Sequence, residues 1–82
     1  MPVLSMFYGV IISMFYKDHN PPHIHALYGE DMAAIDIQTG KILEGHLPPK
    51  ALSMVREWIS LHQKSLLQMW ETQEFKPLSP LE

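Results

Sequence analysis

Apolar residues run almost unbroken through positions 10–16, a β-branched and aromatic stretch that predicts a strand covered on both faces. Over 23–28 the pattern changes to alternation, with Ile24, Ala26 and Tyr28 on one side and His23, His25 and Leu27 on the other. Gly29-Glu30 then suits a two-residue type II′ turn, because glycine accepts the positive φ required at its first position. Residues 32–38 form the returning strand, with Ala33, Ile35 and Ile37 on the core side. Closing the turn with Tyr28 opposite Asp31 sets the register: Ala26 faces Ala33, Ile24 faces Ile35, His25 faces Ala34 and His23 faces Asp36. A slip of one residue would set His25 against Ile35, so the apolar pattern selects this pairing.

Thr39-Gly40 marks a second turn into a strand over 41–45. Pro48-Pro49 opens a long helix over about 49–73, since missing amide hydrogens cost little in a first helical turn. No Ser, Thr, Asp or Asn immediately precedes it, so that end lacks a side-chain cap. At about 100° per residue, Leu52, Val55, Ile59, His62, Leu66 and Trp70 form one stripe. A neighbouring stripe carries Ala51, Met54, Trp58, Leu61 and Met69. The combined face is wider than a helix needs to cover a small sheet. This predicts an interface around Met54, Trp58, Leu61 and Met69, for a homodimer or a cognate small protein partner. Pro77 ends any continuation, leaving 76–82 as an extended tail after a single domain over 1–75.

The expected fold is therefore α+β: a small, mainly antiparallel four-stranded sheet followed by one long C-terminal helix packed on one face. At 82 residues there is room for one core only. A chain of this size buries roughly 60% of its unfolded surface, so its stability margin is thin. No cysteine is present, which removes disulfides and thiolate metal sites and suits a reducing, cytoplasmic setting. Positions 1–16 carry no charge, yet they are too short for a helical span, are broken by Ser5, Gly9 and Ser13, and lack a basic leader. No membrane association is expected. With six Lys and Arg spread along a chain of net charge −3, broad nucleic-acid coating is not expected either.

The chemistry concentrates in Asp18-His19-Asn20-Pro21-Pro22-His23-Ile24-His25, which holds three of the five histidines beside a carboxylate. Two apart on a strand, His23 and His25 point the same way. They can place two nitrogens on one metal, with Asp18, His19 or Asp36 as further ligands; such donors suit Zn, Ni or Mn. A metal-free alternative makes His23 and His25 the acid and base of a small hydrolase or ribonuclease, with Tyr16 or Lys17 steadying a phosphate. The structural alternative is a stiff loop whose histidines satisfy local carbonyls or Asp36. No serine sits in a nucleophile elbow, and there is no glycine-rich phosphate loop. Trp58 and Trp70 read as core or interface anchors, and His62 as a hydrogen-bonded core or interface histidine.

The combination of Gly9, Met14, Tyr16, Asp18-His19, Pro21-Pro22-His23, His25 and Tyr28 resembles the small prokaryotic family catalogued as domain of unknown function 4160. The similarity continues through Asp36-Ile37, Thr39-Gly40, Gly45, Leu47-Pro48, Val55, Glu57-Trp58, Leu61-His62 and Trp70. Members are commonly encoded beside another small protein and have been proposed as toxin–antitoxin components. The resemblance thus implies a bacterial cytosolic protein, a toxin–antitoxin-type or regulatory component acting through a protein partner. It supplies no catalytic residues.

Overall fold

Tyr28 pairs with Asp31 across Gly29-Glu30, and the register continues through Ala26–Ala33, His25–Ala34, Ile24–Ile35 to His23–Asp36, as the apolar alternation requires. Gly29 takes φ 62°, while Glu30 is not among the positive-φ residues, which is the II′ pattern. The computed structural model describes residues 2–82. Within it β1 (Val3–Phe7), β2 (Val10–Ser13), β3 (His23–Tyr28), β4 (Asp31–Asp36) and β5 (Ile42–Gly45) precede a single helix, α1 (Pro49–Thr72). The strands form one antiparallel sheet in the order β1-β2-β3-β4-β5.

The α+β class holds, but the sheet has five strands rather than four. The additional strand, β1, is joined to β2 by Tyr8-Gly9, with φ 48° and 82°. A two-residue turn with both φ values positive normally signals itself by Asn, Asp or Gly at the first position. Tyrosine there hides it. Beyond Ser13 the chain leaves the ladder three residues earlier than the apolar run suggests, although Met14 is still fully buried.

One face of the sheet carries Leu4, Val10, Ile12, Ile24, Ala26, Ala33, Ile35 and Ile37, nearly all solvent-free. Against it α1 presents Ala51, Val55, Trp58, Ile59, Leu66, Met69 and Trp70. The helix starts after Pro48 without a side-chain cap and ends at Gln73, whose left-handed backbone (φ 63°) lets its amide reach the Met69 carbonyl at 2.8 Å. No helix among the described residues is long and apolar enough to cross a membrane.

Most of the apolar surplus on α1 is consumed within the chain, which corrects the expected placement of Trp58 and Met69 at an interface. Trp58 and Met69 are 0% and 2% exposed, Met54 is half-buried against the core, and only Leu61 stands out at 66%. Two elements supply the cover. Phe7 of β1 stacks on Trp58 with ring centroids 6.0 Å apart. The segment after α1 folds back: Leu78 N–H donates to Leu4 O at 2.7 Å, and Leu81 is buried. Ser79 O accepts from both Trp58 Nε1 and His62 Nε2, each at 2.9 Å. The backbone of α1 departs from helical geometry at His62 (φ −118°), the residue that reaches this carbonyl.

Candidate functional site

Residues 14–22 form the loop between β2 and β3, and the end of α1 holds this loop in place. Trp70 Nε1 donates to Asn20 Oδ1 at 3.0 Å, and Lys17 N–H donates to Gln73 Oε1 at 2.7 Å. The Asn20-Pro21 peptide is cis. The loop carries Asp18 over the start of β3, where alternation sends His23 and His25 to the same side.

His23 is the centre of the arrangement. Its Nδ1 lies 2.7 Å from Pro21 O, an atom that can only accept, so Nδ1 carries the hydrogen. Its Nε2 lies 2.9 Å from Asp18 Oδ2. Both ring nitrogens therefore face oxygen acceptors: either Nε2 also bears hydrogen, or a cation takes that position. The Trp70 ring packs 5.1 Å from the His23 ring and keeps it largely dry.

His25 follows at 5.2 Å between ring centroids, with Phe15 edge-on at 4.4 Å. Its Nδ1 is buried and has no hydrogen-bond partner, an unusual state for a polar atom. Burial, then the neighbouring His23, push the His25 pKa below 6.5, while Asp18 and Glu44 pull the other way. For Asp18, burial alone would raise the carboxyl. The His19 amide at 2.9 Å and the two imidazoles outweigh it and hold the group below its ordinary value.

Asp18, His23 and His25 each offer one donor atom, and these lie within 4.8 Å of one another. A tetrahedral zinc with bonds of about 2.0–2.1 Å spaces its donors roughly 3.4 Å apart, a spacing inside the 4.8 Å that bounds this set. The donors also fit a metal chemically. A ligating imidazole is ordinarily fixed by an N–H bond from its other nitrogen to a carbonyl, and Pro21 O provides that here.

Three sequence candidates lie outside this set. His19 is exposed and contributes only its backbone amide to Asp18. Asp36 is paired in register with His23, but its Oδ1 accepts from Gln38 N–H at 2.7 Å and Thr39 N–H at 2.9 Å. A carboxylate bonding its own turn two and three residues on is a local arrangement, and it takes precedence over the cross-strand histidine. Tyr16 is exposed and stacks on Phe75 at 4.4 Å.

Other participants were not singled out by the sequence reading. Asn20, Trp70 and the Pro21 carbonyl support the site through contacts that no local motif announces. Glu44 lies in the same cross-strand row as His25, through Ala34, and its charge acts on His25. Only the full β3–β4–β5 register would have revealed it. Between them runs a groove of about 210 Å³ lined by His25, Met32, Ala33, Ala34, Glu44 and Gly45.

Comparison with known proteins gives no match among curated proteins and none among solved structures. One family model does match, over residues 9–71, a span that includes the loop, all three donors and α1 almost to its end. The chain therefore belongs to the family described as a domain of unknown function, DUF4160.

Proposed function

We propose that the protein holds a divalent transition metal, zinc first, on Asp18, His23 and His25, and that this centre serves hydrolytic chemistry. The observation that carries the reading is His23, whose Nδ1–H is anchored on Pro21 O while Nε2 is presented to the Asp18 carboxylate and the partnerless His25. Three protein donors leave a fourth position for water, the pattern of catalytic rather than structural zinc. The groove beside His25 argues against RNA as substrate: its lining includes Glu44 and no Lys or Arg. The test is zinc titration of the purified, chelator-treated protein by calorimetry, with metal content measured in parallel. One zinc per chain is expected, lost in His25→Ala. Equal binding by wild type and an Asp18→Ala/His23→Ala/His25→Ala variant would refute the site.

A second reading makes the protein a toxin–antitoxin-type or regulatory component acting through a protein partner. What supports it is the sheet face away from α1, where Met6, Leu27 and Met32 are 63%, 36% and 53% exposed. Co-expression with the product of an adjacent gene, followed by co-purification and growth measurement, tests it directly. Failure to form a complex would remove this reading and leave the metal site standing.

A further inference from the structure

The pairings align four side chains in a row across the sheet: Met6 with Ile11, Ile11 with Leu27, and Leu27 with Met32. All lie on the face away from α1, because their neighbours Phe7, Val10, Ile12 and Ala26 fill the core. Met6, Leu27 and Met32 are substantially exposed and Ile11 is half-buried. The next row is Val3, Ser13, His25, Ala34 and Glu44. Its small member Ala34 leaves the depression from which the groove beside His25 is formed.

Charge around this apolar strip has one sign. Glu44 stands at the groove and Glu30 at the turn beside Met32, while Asp31, opposite Tyr28, belongs to the other face. Neither row contains a Lys or Arg. Methionine and leucine presented as a row, with carboxylates at the margin, favour a ligand that is apolar along its length and basic at its edge. A second copy fits poorly, since in a two-fold contact the same patch faces itself and its two rows hold no Lys or Arg to meet Glu44. Nucleic acid is opposed by the same charges.

We infer that this face docks a protein segment that is apolar with Lys or Arg at its edge, its apolar side chains on Met6, Ile11, Leu27 and Met32 and a basic side chain on Glu44. The inference rests on the partner reading and gives that partner a place and a chemistry. The contact lies beside His25, so the docked segment covers the approach to the Asp18–His23–His25 cluster from the groove side.

A random linear peptide library displayed on phage is the probe, with the full chain as bait. Enriched peptides should combine alternating apolar residues with Lys or Arg, and a representative should bind at least tenfold more tightly than its Lys→Glu counterpart. Glu44→Lys should invert that preference, and Met32→Glu should abolish binding. Both positions are exposed, so the variants keep the fold, checked by amide chemical-shift dispersion. Leu61→Glu, on the helix, should change nothing. Enrichment of peptides without a basic residue, or the same peptides on Met32→Glu bait, would overturn the surface. A co-expressed partner complex that persists in both Met32→Glu and Glu44→Lys overturns the surface while keeping the partner reading; no complex with wild type removes the partner reading itself.

Discussion

His23 Nδ1 donates to Pro21 O at 2.7 Å, a bond that spans two residues and fixes which ring nitrogen faces Asp18. The rigid Pro21-Pro22 pair thus selects the tautomer that a metal ligand needs. His23→Ala and His25→Ala should each weaken zinc by at least about 100-fold, beyond the 10–100-fold typical of lost outer-shell partners. His19→Ala should leave affinity unchanged, because only its backbone amide serves the cluster. Calorimetric titration of the three variants checks both halves of the prediction.

In the metal-free protein, His25 makes stability depend on pH. Its folded-state pKa lies below 6.5, so between that depressed value and 6.5 the unfolded chain binds a proton that the folded chain does not. The contribution is present above 6.5 and is lost as pH falls through this window. Asp18 acts lower: its folded pKa lies below 3.8, so its contribution disappears only as pH drops past that value. Urea midpoints measured with chelator from pH 8 to 5 should decline toward the acid side. His25→Gln should flatten that decline, and an unchanged slope would exclude His25 as its source.

The parts of the fold that the sequence makes legible are those specified by local rules. The β3–β4 register follows from alternation plus a glycine turn, and the α1 start from Pro48-Pro49. The candidate site is half-legible for the same reason: alternation puts His23 and His25 together, and the register puts Asp36 opposite His23. What remains hidden is set by side-chain choice and long-range contact. Asp36 turns to its own loop, while Asp18 reaches His23 only because Asn20 and Lys17 are held by Trp70 and Gln73, about fifty residues on. The strand β1 is obscured by tyrosine in a turn position. The helix surplus looks like an interface until β1 and residues 77–82 are known to cover it.

Those last residues are structural. Ser79 O accepts from two α1 side chains, and Leu81 is 9% exposed. Deleting 77–82 would leave Trp58 Nε1 unpaired, at about 1–3 kcal/mol, and expose apolar surface worth about 1.5–3 kcal/mol for one leucine. A loss of about 2.5–6 kcal/mol follows, measurable as a lowered urea midpoint. A truncated protein as stable as the full chain would show the packing of this segment to be incidental.

Leu61 is the one member of the Met54, Trp58, Leu61 and Met69 set left in solvent. Leu61→Glu should change stability by no more than about 0.5 kcal/mol, as for other surface substitutions. It should also leave sedimentation behaviour unchanged at all concentrations. Trp58→Ala, by contrast, empties a fully buried site and should cost about 3–5 kcal/mol. Dissociation of an oligomer by Leu61→Glu would restore the helix interface.

Asp36 separates a turn role from a metal role. It is 7% exposed, and its Oδ1 accepts the Gln38 and Thr39 amides while the Gly40 amide donates to its backbone carbonyl at 2.9 Å. Asp36→Ala removes both side-chain bonds and should cost about 1–3 kcal/mol. Because Gln38 and Thr39 are exposed, water can reach their amides, which favours the lower end of that range. Asp36→Asn keeps an oxygen at the accepting position and should recover most of the loss. Zinc affinity should be unaltered in both variants, since the cluster contains Asp18 rather than Asp36. A parallel fall in zinc affinity and stability for Asp36→Asn would instead return Asp36 to the ligand set.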